Sequence, residues 1–387
     1  MHAPSGLVPY NGRMRSLLLA ASLLAVTPHL RGQQAEAVTA VGDIHGDLET
    51  FRTLLRRTGL TDESDRWIGG TRQLVQTGDF LDRGADSRRV MDLLRRLEEE
   101  ARSAGGRVTV LLGNHEIMNL TGDLVSTTRA EFASYIDLED ASTREERKKR
   151  ILAILNDGSP LLRSNYLREL KRVLNEESFD RFFPPGYFGH RKALRPMGEY
   201  GRWLMSHDVI HRQAGALFLH GGLSRSFGFL SPEEINAGIK RELEKYFAAV
   251  EELERLGVFD EALGYREVLW LLSSERRTGR VDPQLAGPFE SIYDAWDSIL
   301  FREDGPLWYR GLAEGNERAL WRTVEEICRR QEVERIVIGH TQPKSLRVEG
   351  RFGNRVILID TGMNQKVYQG FPSAVVVAPN EDVQVID

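Results

Sequence analysis

Five short clusters of polar side chains recur along the chain, and each directly follows a run of apolar residues. The clusters read GDIHGD, GDFLDRG, GNHE, HGG and GHT, and their candidate metal-binding side chains are Asp43, His45, Asp79, Asn114, His220 and His340. Carboxylate, amide and imidazole donors suit divalent metal ions such as Mn, Fe, Zn or Co. The sequence therefore predicts a metal centre, with the identity of the metal open among these four.

The segment LVQTGDFLDRG places Asp79, Asp82 and Arg83 together just past a predicted strand. Carboxylates this close repel each other unless positive charge lies between them. If Asp79 bridges two cations, their charge lowers its pKa and cancels the repulsion. We therefore predict two divalent ions, and we expect Asp43 and His45 to reach one of them from the same side of an extended segment.

The bulk properties of the chain exclude some other kinds of function. Its 387 residues are enough for a large core, and 41% apolar with 28% charged residues is typical of a globular protein. A net charge of −5 argues against nucleic-acid binding as the main function, because such binding needs a basic excess. Cys328, the single cysteine, lies on an apolar helical face with Val324, so we expect a buried side chain and not a catalytic thiolate.

Short β-branched runs alternate with helical patterns in the first part of the chain. The runs predicted as strands are AVTAV, RQLVQ, RVTVL, ALFL, RIVI, RVILI, SAVVV and VQVI, and helical periodicity covers DLETFRTLLRR and SRRVMDLLRRLEEEARS. This alternation predicts an α/β fold, in which functional loops gather at the carboxyl ends of the strands. The later strands follow one another without long helices, which predicts a second sheet, mixed or antiparallel.

Two long stretches interrupt this alternation. Residues from about 119 to 212 are rich in charge and helical pattern, and we interpret them as a helical insertion in the catalytic domain. Residues from about 231 to 331 are also predicted to be mostly helical, with their helices placed around the sheet. Because strands resume after each stretch, we predict a single catalytic domain over residues 38–387, and a separate domain is the weaker alternative.

Residues 1–37 have the pattern of a secretory signal peptide. Arg13 and Arg15 precede the apolar run SLLLAASLLAV, which is too short to span a bilayer, and an A-x-A cleavage site ends at Ala37. Cleavage near Gly32, or a start at Met14, fits the pattern equally well. We expect a periplasmic or secreted protein without a stable membrane span, and the alternative is a cytoplasmic protein with an N-terminal extension.

In this order, the five clusters resemble the phosphoprotein phosphatase family of the calcineurin-like metallophosphoesterases. FPPGYFGHR, GEYGRWL, GPLWYRG and DTGM narrow the resemblance to the Shewanella-like phosphatases, and it covers about residues 38–387. The resemblance implies an α/β fold, namely a β-sandwich of mixed sheets flanked by helices. It also implies a hydrolase with two metal ions, one of them held by Asp43, His45 and Asp79 and the other by Asp79, Asn114, His220 and His340.

The resemblance implies roles for four further residues. His115 would be the general acid, oriented by Asp82, and Arg83 and Arg310 would bind the substrate phosphate. A metal-bridging hydroxide would attack phosphorus, because two ions lower the pKa of a shared water. One departure is GHTQ, where Gln342 replaces a histidine of the broader superfamily and leaves the first ion with fewer protein ligands. Another is DTGMNQ, which replaces the Ser-Ala-Pro-Asn-Tyr stretch of serine/threonine phosphatases, so a strict preference for those residues is not transferred.

The leading hypothesis is a metal-dependent phosphomonoesterase that acts on phosphoproteins, with the choice among phosphotyrosine, phosphoserine, phosphothreonine and small phosphomonoesters left open. The alternative is a dinucleoside tetraphosphatase, which uses the same metal site on a nucleotide; GNHE in place of GNHD and the long insertion argue against it. A third possibility is an inactive, metal-stabilised binding module. Such a module would not need His115, Asp82 and Arg83, so the sequence favours an enzyme.

Overall fold

The structure is a computed structural model that describes residues 37–260 and 263–387. Nearly all of the predicted signal peptide lies outside these residues, so export stays a prediction. Within the described ranges the chain forms ten strands: β1 (Val38–Val41), β2 (Gln73–Gln76), β3 (Arg107–Val110), β4 (Ile210–Gln213), β5 (Ala216–Leu219), β6 (Arg335–Ile338), β7 (Glu349–Arg351), β8 (Val356–Leu358), β9 (Ala374–Val377) and β10 (Gln384–Ile386).

The strands form two mixed sheets with the orders β10-β9-β1-β2-β3 and β4-β5-β6-β8-β7. In the first sheet β1, β2 and β3 are parallel, and in the second β5, β6 and β8 are parallel. Alternate side chains of both sheets meet in one buried apolar cluster that includes Val38, Val375, Phe218 and Val337. The predicted α/β sandwich of mixed sheets is confirmed, although β9 and β10 extend the first sheet and not the second.

All eight predicted strands are present, and two further strands were missed. Both missed strands, β4 and β7, are short edge strands that pair antiparallel with a single neighbour. Their sequences, IHRQ and EGR, carry polar residues and a glycine, because an edge strand buries less of its surface than a central one. Apolar runs therefore detected the central strands and overlooked these two.

Helices flank the two sheets and fill the long stretches between strands. Among the described residues the helices are α1 (Leu48–Arg57), α2 (Ser87–Ser103), α3 (Asn114–Thr121), α4 (Arg129–Ala133), α5 (Ala141–Asp157), α6 (Tyr166–Val173), α7 (Phe179–Phe182), α8 (Tyr187–Leu194), α9 (Glu199–Met205), α10 (Pro232–Arg255), α11 (Tyr265–Arg277), α12 (Pro283–Trp296), α13 (Gly311–Glu314), α14 (Glu317–Arg330) and α15 (Gln365–Tyr368). α1 and α2 cover the two predicted helical segments. None of the helices combines the length and apolar character needed to cross a membrane.

The helices of the two long stretches pack against each other around a second apolar core. This core joins Ile151 of α5 and Phe179 of α7 to Leu253 of α10, Val268 of α11 and Phe289 of α12. The stretch 119–212 is mostly helical, but its first residues belong to α3 and its last residues form β4. In the second stretch, α14 and the first half of α10 pack against the sheet as expected, whereas α11, α12 and the second half of α10 pack on the helices of the first stretch.

The carboxyl ends of the parallel strands are brought close together by tight turns. Gly78, after β2, has a φ of +94°, and a Cβ atom at this position would lie 2.4 Å from the backbone nitrogen of Gly113, after β3. Only glycine allows both the left-handed backbone and this approach. The loops after β2 and β3 therefore touch, and the side chains that follow them occupy one region.

Candidate active site

Five of the six predicted metal ligands lie in the loops that follow β1, β2, β5 and β6, Asn114 begins α3 just after β3, and all six are buried. Their exposed fractions are 3% for Asp43, 2% for His45, 2% for Asp79, 3% for Asn114, 0% for His220 and 8% for His340. Possible ligand atoms gather in two groups, one of His45, Asp79 and His115 and one of Asp79, His220 and His340. Because Asp79 belongs to both groups, the two candidate ion positions adjoin each other.

The group around His220 brings possible metal-binding atoms to short distances from one another. His220 Nδ1 lies 3.1 Å from the carbonyl oxygen of Thr77 and donates to it, so Nε2 is the ring nitrogen that faces the group. That nitrogen lies 2.9 Å from Oδ1 of Asn114, 3.1 Å from Nδ1 of His340 and 3.2 Å from Oδ1 of Asp79. The amide nitrogen of Asn114 is directed instead toward the sulfur of Met118.

Such an arrangement fits a cation. Acceptor atoms repel one another unless a proton or a metal ion lies between them. Two atoms bound to one ion at about 2.1 Å lie roughly 3.0–3.6 Å apart, which is close to the separations around His220. His340 Nε2 is also buried without a hydrogen-bond partner among the described residues. The donor set and its spacing thus match a divalent metal site.

In the group around His45 the possible ligand atoms are further apart than around His220, and the guanidinium of Arg83 lies next to them. His45 Nδ1 donates to the carbonyl of Leu81, and its Nε2 lies 3.8 Å from Asp43 Oδ2 and 3.7 Å from Asp79 Oδ2. The guanidinium of Arg83 donates to this Nε2 at 2.9 Å. The positive charge of Arg83 therefore faces the two carboxylates in this arrangement.

We expected Asp43 and His45 to lie on an extended segment, but a turn separates them from that geometry. His45 has a φ of +47°, a left-handed conformation, and its backbone N–H bonds to the carbonyl of Asp79 in a turn. The carboxylate of Asp43 accepts hydrogen bonds from the backbone N–H of His340. The two side chains still approach each other, but a turn and not strand geometry brings them together.

Burial and neighbouring charges shift the pKa values of these groups in different directions. Burial alone would raise the pKa of Asp79, but the imidazoles of His220 and His115 hold it well below its ordinary value. Burial, followed by the nearby carboxylates of Asp360 and Asp79, raises the pKa of Asp43 well above its ordinary value. Burial lowers the pKa of His45 to about 3. The shared carboxylate is thus ionised and the imidazole of His45 neutral, which are the forms that bind metals.

His115, which belongs to the group around His45, forms a buried pair with Asp82. Nδ1 of His115 donates to Oδ2 of Asp82 at 2.6 Å, and Asn119 and Thr127 donate to the same carboxylate. Burial by itself would lower the pKa of His115, but the charges of Asp79 and Asp82 raise it above its ordinary value. The ring is thus fixed, with Nε2 directed away from Asp82.

Glu116 organises the loop after β2, and the sequence analysis missed this role. Its buried carboxylate accepts hydrogen bonds from the backbone N–H groups of Asp79, Phe80 and Leu81 and also from that of Gly113. It therefore joins the loop after β2 to the start of α3. The sequence did offer one signal for this role: Glu116 is the acidic residue of GNHE, and the metal-binding scheme left it without a function.

Several site residues have left-handed backbones that non-glycine residues rarely adopt. The φ angles are +56° at Asp79, +67° at Asp82, +68° at Arg83 and +64° at His340. Such conformations cost of order 1–3 kcal/mol each and persist where surrounding contacts determine them. The hydrogen bonds that Glu116 accepts from the backbone of the Asp79 loop supply such contacts.

The predicted phosphate-binding arginines both line one cavity above the metal groups. The cavity has a volume of about 220 Å³, and its lining includes Arg83, Arg310, His115 and Trp308. Arg310 precedes α13 and donates to the carbonyl of His340 and the hydroxyl of Thr341. Three further lining residues, Asp123, Ser126 and Arg266, were not identified from the sequence.

Residues 37–344 match the family described as Calcineurin-like phosphoesterase. The match spans most of the chain, and the chain belongs to this family. Members of the family bind divalent metals and are hydrolases, which agrees with the two donor groups that share Asp79. The fold predicted from the resemblance is confirmed as the calcineurin-like metallophosphoesterase fold.

Similar proteins include Shewanella-like phosphatases. The Shewanella-like protein phosphatase 2 of Arabidopsis thaliana is 26% identical over 371 residues, which cover 92% of this chain and 78% of the relative. The Shewanella-like protein phosphatase 1 of Plasmodium berghei is 24% identical over 339 residues, which cover 87% of this chain and 69% of the relative. The resemblance to Shewanella-like phosphatases is confirmed.

A solved structure shares the fold. The crystal structure of the cold-active protein-tyrosine phosphatase of a psychrophilic Shewanella species aligns with a TM-score of 0.56 at 22% identity, covering 91% of this chain and 81% of that chain. By contrast, the symmetrical bis(5'-nucleosyl)-tetraphosphatase of Buchnera aphidicola is 37% identical over only 78 residues, which are 20% of this chain and 23% of the relative.

The four hydrogen bonds to Glu116 predict a large effect of Glu116→Gln. The amide offers one acceptor oxygen, and its NH₂ group would face backbone N–H donors that the carboxylate now satisfies. We expect a loss of about 2–4 kcal/mol in the free energy of unfolding, because each buried unsatisfied group costs about 1–3 kcal/mol. Thermal and urea unfolding of the purified variant measure this loss.

Glu99→Gln is the matched control, because Glu99 is an exposed residue of α2 outside the site. Its unfolding curve should overlay that of the unmodified protein. Equal stability of the two variants would show that Glu116 does not organise the loop.

Proposed function

We propose that this protein is a metal-dependent phosphatase that hydrolyses phosphomonoesters on protein side chains. The observation that carries the proposal is the His115–Asp82 pair: His115 belongs to one of two donor groups that share Asp79, and its Nδ1 is held by Asp82. A purely structural metal site does not require a polarised imidazole at its edge. A phosphoester hydrolase does, because the leaving oxygen needs a proton.

The residues present fit two divalent ions, with Asp43, His45 and Asp79 as ligands of one and Asp79, Asn114, His220 and His340 as ligands of the other. When bound, such ions polarise the phosphoryl oxygens and lower the pKa of a coordinated water. Manganese is our working choice of metal, among Mn, Fe, Zn and Co, for donors of these types.

Arg83 and Arg310 are proposed to bind the phosphoryl group. Both line the cavity, and a planar guanidinium can donate two parallel hydrogen bonds to phosphate oxygens. Arg83 now donates to Nε2 of both His45 and His115, at 2.9 and 3.0 Å. A phosphate that attracts this guanidinium would release both nitrogens, one for metal binding and one for proton transfer.

His115 is proposed to protonate the leaving group. Once Arg83 has released it, Nε2 of His115 takes up a proton. In hydrolysis a water oxygen then bonds to phosphorus as the bond from phosphorus to the ester oxygen breaks, the ester oxygen takes the proton from Nε2 and leaves as an alcohol or phenol, and the proton lost by the water restores the charged imidazole. Nε2 of His115 is the atom available for this transfer, because Nδ1 is bonded to Asp82. Asp82 is proposed to fix the orientation of the ring and to stabilise its charged form.

The names of the Arabidopsis thaliana and Plasmodium berghei relatives support a protein substrate, since both are called protein phosphatases and align over most of this chain. The cavity is open toward solvent through exposed residues such as Arg310, so a side chain on a larger molecule can enter it. The tetraphosphatase alternative has weaker support, because the similarity covers a fifth of the chain.

Replacing His115 by Asn should lower kcat by about 10²–10⁴-fold on phosphoserine peptides or alkyl phosphates, whose leaving oxygens are strongly basic. The loss should be smaller on p-nitrophenyl phosphate, whose phenolate leaves without prior protonation. Steady-state kinetics on both substrates measure the difference. His211→Asn serves as the control for an imidazole outside the site, and equal losses on both substrates would argue against the acid role.

Removing divalent ions with a chelator should abolish activity and lower the melting temperature, because ions that bind only the folded chain stabilise it. Added Mn²⁺ should restore both. Asp79→Asn should reduce the binding stoichiometry below the two ions per chain expected of the unmodified protein, since this carboxylate belongs to both groups. Titration calorimetry gives the stoichiometry, and activity in the fully metal-free enzyme would contradict the proposal.

The two substrate classes can be separated in one assay. Phosphopeptides containing phosphotyrosine, phosphoserine or phosphothreonine are compared with diadenosine tetraphosphate at equal concentrations of enzyme and metal. We expect kcat/KM to be at least about tenfold higher for the best phosphopeptide than for diadenosine tetraphosphate. This ratio corresponds to a difference of about 1.4 kcal/mol in free energy. A higher value for the dinucleotide would favour the tetraphosphatase alternative.

A further inference from the structure

Three arginines from three different elements line the cavity above the metal groups. Arg83 follows β2, Arg310 precedes α13, and Arg266 lies in the first turn of α11. The first two are assigned to the phosphate by the proposed function. A single phosphoryl group offers three free oxygens, which two guanidinium groups and two metal ions already address. Arg266 is therefore available for another part of the substrate.

The contact that Arg266 makes leaves most of its guanidinium unused. Its Nε donates to Oδ1 of Asp123 at 2.7 Å, and no other hydrogen bond of this side chain occurs among the described residues. The side chain of Arg266 is 53% exposed, whereas that of Asp123 is 13% exposed. Both side chains line the cavity, but the guanidinium is the more exposed of the two and the carboxylate is mostly buried.

A purely structural role does not explain this arginine, because other contacts already fix α11. The backbone N–H of Tyr265 bonds to the carbonyl of Gly122, just past α3, and Val268 and Leu271 of α11 are buried in the apolar core of the helices. A Cβ atom at Gly264 would lie 2.2 Å from the Gly122 carbonyl oxygen, so the two backbones are in direct contact. A partly exposed ion pair adds little stability to such a junction.

The same junction determines the position of Arg266 relative to the reacting group. Helix α3 begins with Asn114 and His115 and ends beside the start of α11. A guanidinium held there by Asp123 has less freedom to lose when it binds an anion than one on a free side chain. Its location at the cavity, outside the metal groups, suits a group close to the phosphate in the substrate.

We infer that Arg266 is a specificity-determining residue that binds a second anionic group of the substrate, near the phosphorylated side chain. This inference rests on the proposed function. The anion is either the carboxylate of a neighbouring Asp or Glu or a second phosphate, since a guanidinium binds both. Phosphopeptides with an anion at the correct spacing are then preferred over neutral ones.

The test compares peptide series that share one sequence and one phosphorylated residue. Glutamate is placed in turn at each position from three before to three after that residue, with glutamine at the same position as the neutral reference. A second series carries a non-hydrolysable phosphonate in place of the glutamate. The enzymes are the unmodified protein, Arg266→Gln, Arg266→Glu and the control Arg277→Gln.

Arg277 is a suitable control because it is exposed on the same helix, 11 residues or about 16 Å further along. Both glutamine variants remove one positive charge from α11, so a nonspecific effect of net charge would appear in both. Only Arg266→Gln removes a charge from the cavity lining.

We expect the unmodified protein and Arg277→Gln to prefer the anionic peptide over its neutral partner by about 5- to 20-fold in kcat/KM at one position. Arg266→Gln should reduce this preference to less than about twofold, and Arg266→Glu should reverse it. Comparing the glutamate and phosphonate series identifies the anion. The preference should weaken as salt is added, because the site is partly exposed.

Two results would overturn the inference: an unmodified protein without preference at any position, or a preference that Arg266→Gln retains. Turnover of p-nitrophenyl phosphate by the unmodified protein reports the proposed phosphatase function separately. If that turnover is absent, fluorescence anisotropy with phosphonate analogues at both sites of the peptide still measures whether binding depends on Arg266. Failure of the proposed function and failure of this inference are therefore distinguishable.

Discussion

In the buried space between the two sheet edges, three possible metal-binding atoms lie 2.9–3.2 Å from Nε2 of His220. One of them belongs to Asp79, whose carboxylate is also part of the group around His45. Water cannot screen these atoms, because every ligand side chain is buried. The arrangement is stable only with positive charge beside it, and bound cations or the guanidinium of Arg83 supply that charge.

The loop after β2 brings Asp79 and Arg83 to this region in a strained backbone conformation. Asp79, Asp82 and Arg83 all have left-handed φ angles, and Gly78 approaches Gly113 closely. The four hydrogen bonds to Glu116 stabilise this conformation and join it to α3. The carboxylate of Glu116 thus determines where the candidate metal-binding carboxylate of Asp79 lies, and the stability of the loop and the geometry of the site are linked.

The helical part of the molecule reaches the site through the end of α3. The buried guanidinium of Arg191, in α8, donates to the carbonyl of Asn119, and the amide of Asn119 donates to Asp82. α11 contacts the residue after α3 and brings Arg266 to the cavity. The helices between the strands therefore support the His115–Asp82 pair on one side and contribute to the lining of the cavity on the other.

The sequence by itself determined the elements with strong apolar periodicity, namely eight strands, α1 and α2, and the residue types that follow the strands. It predicted all six candidate metal ligands because parallel strands direct their carboxyl ends to one edge. Only the tertiary structure decided the edge strands β4 and β7, the turn at His45, the hydrogen bonds that Glu116 accepts and the position of Arg266 at the cavity. These depend on contacts between residues that are distant in sequence, such as Arg266 with Asp123, and no local pattern of apolar and polar residues encodes such contacts.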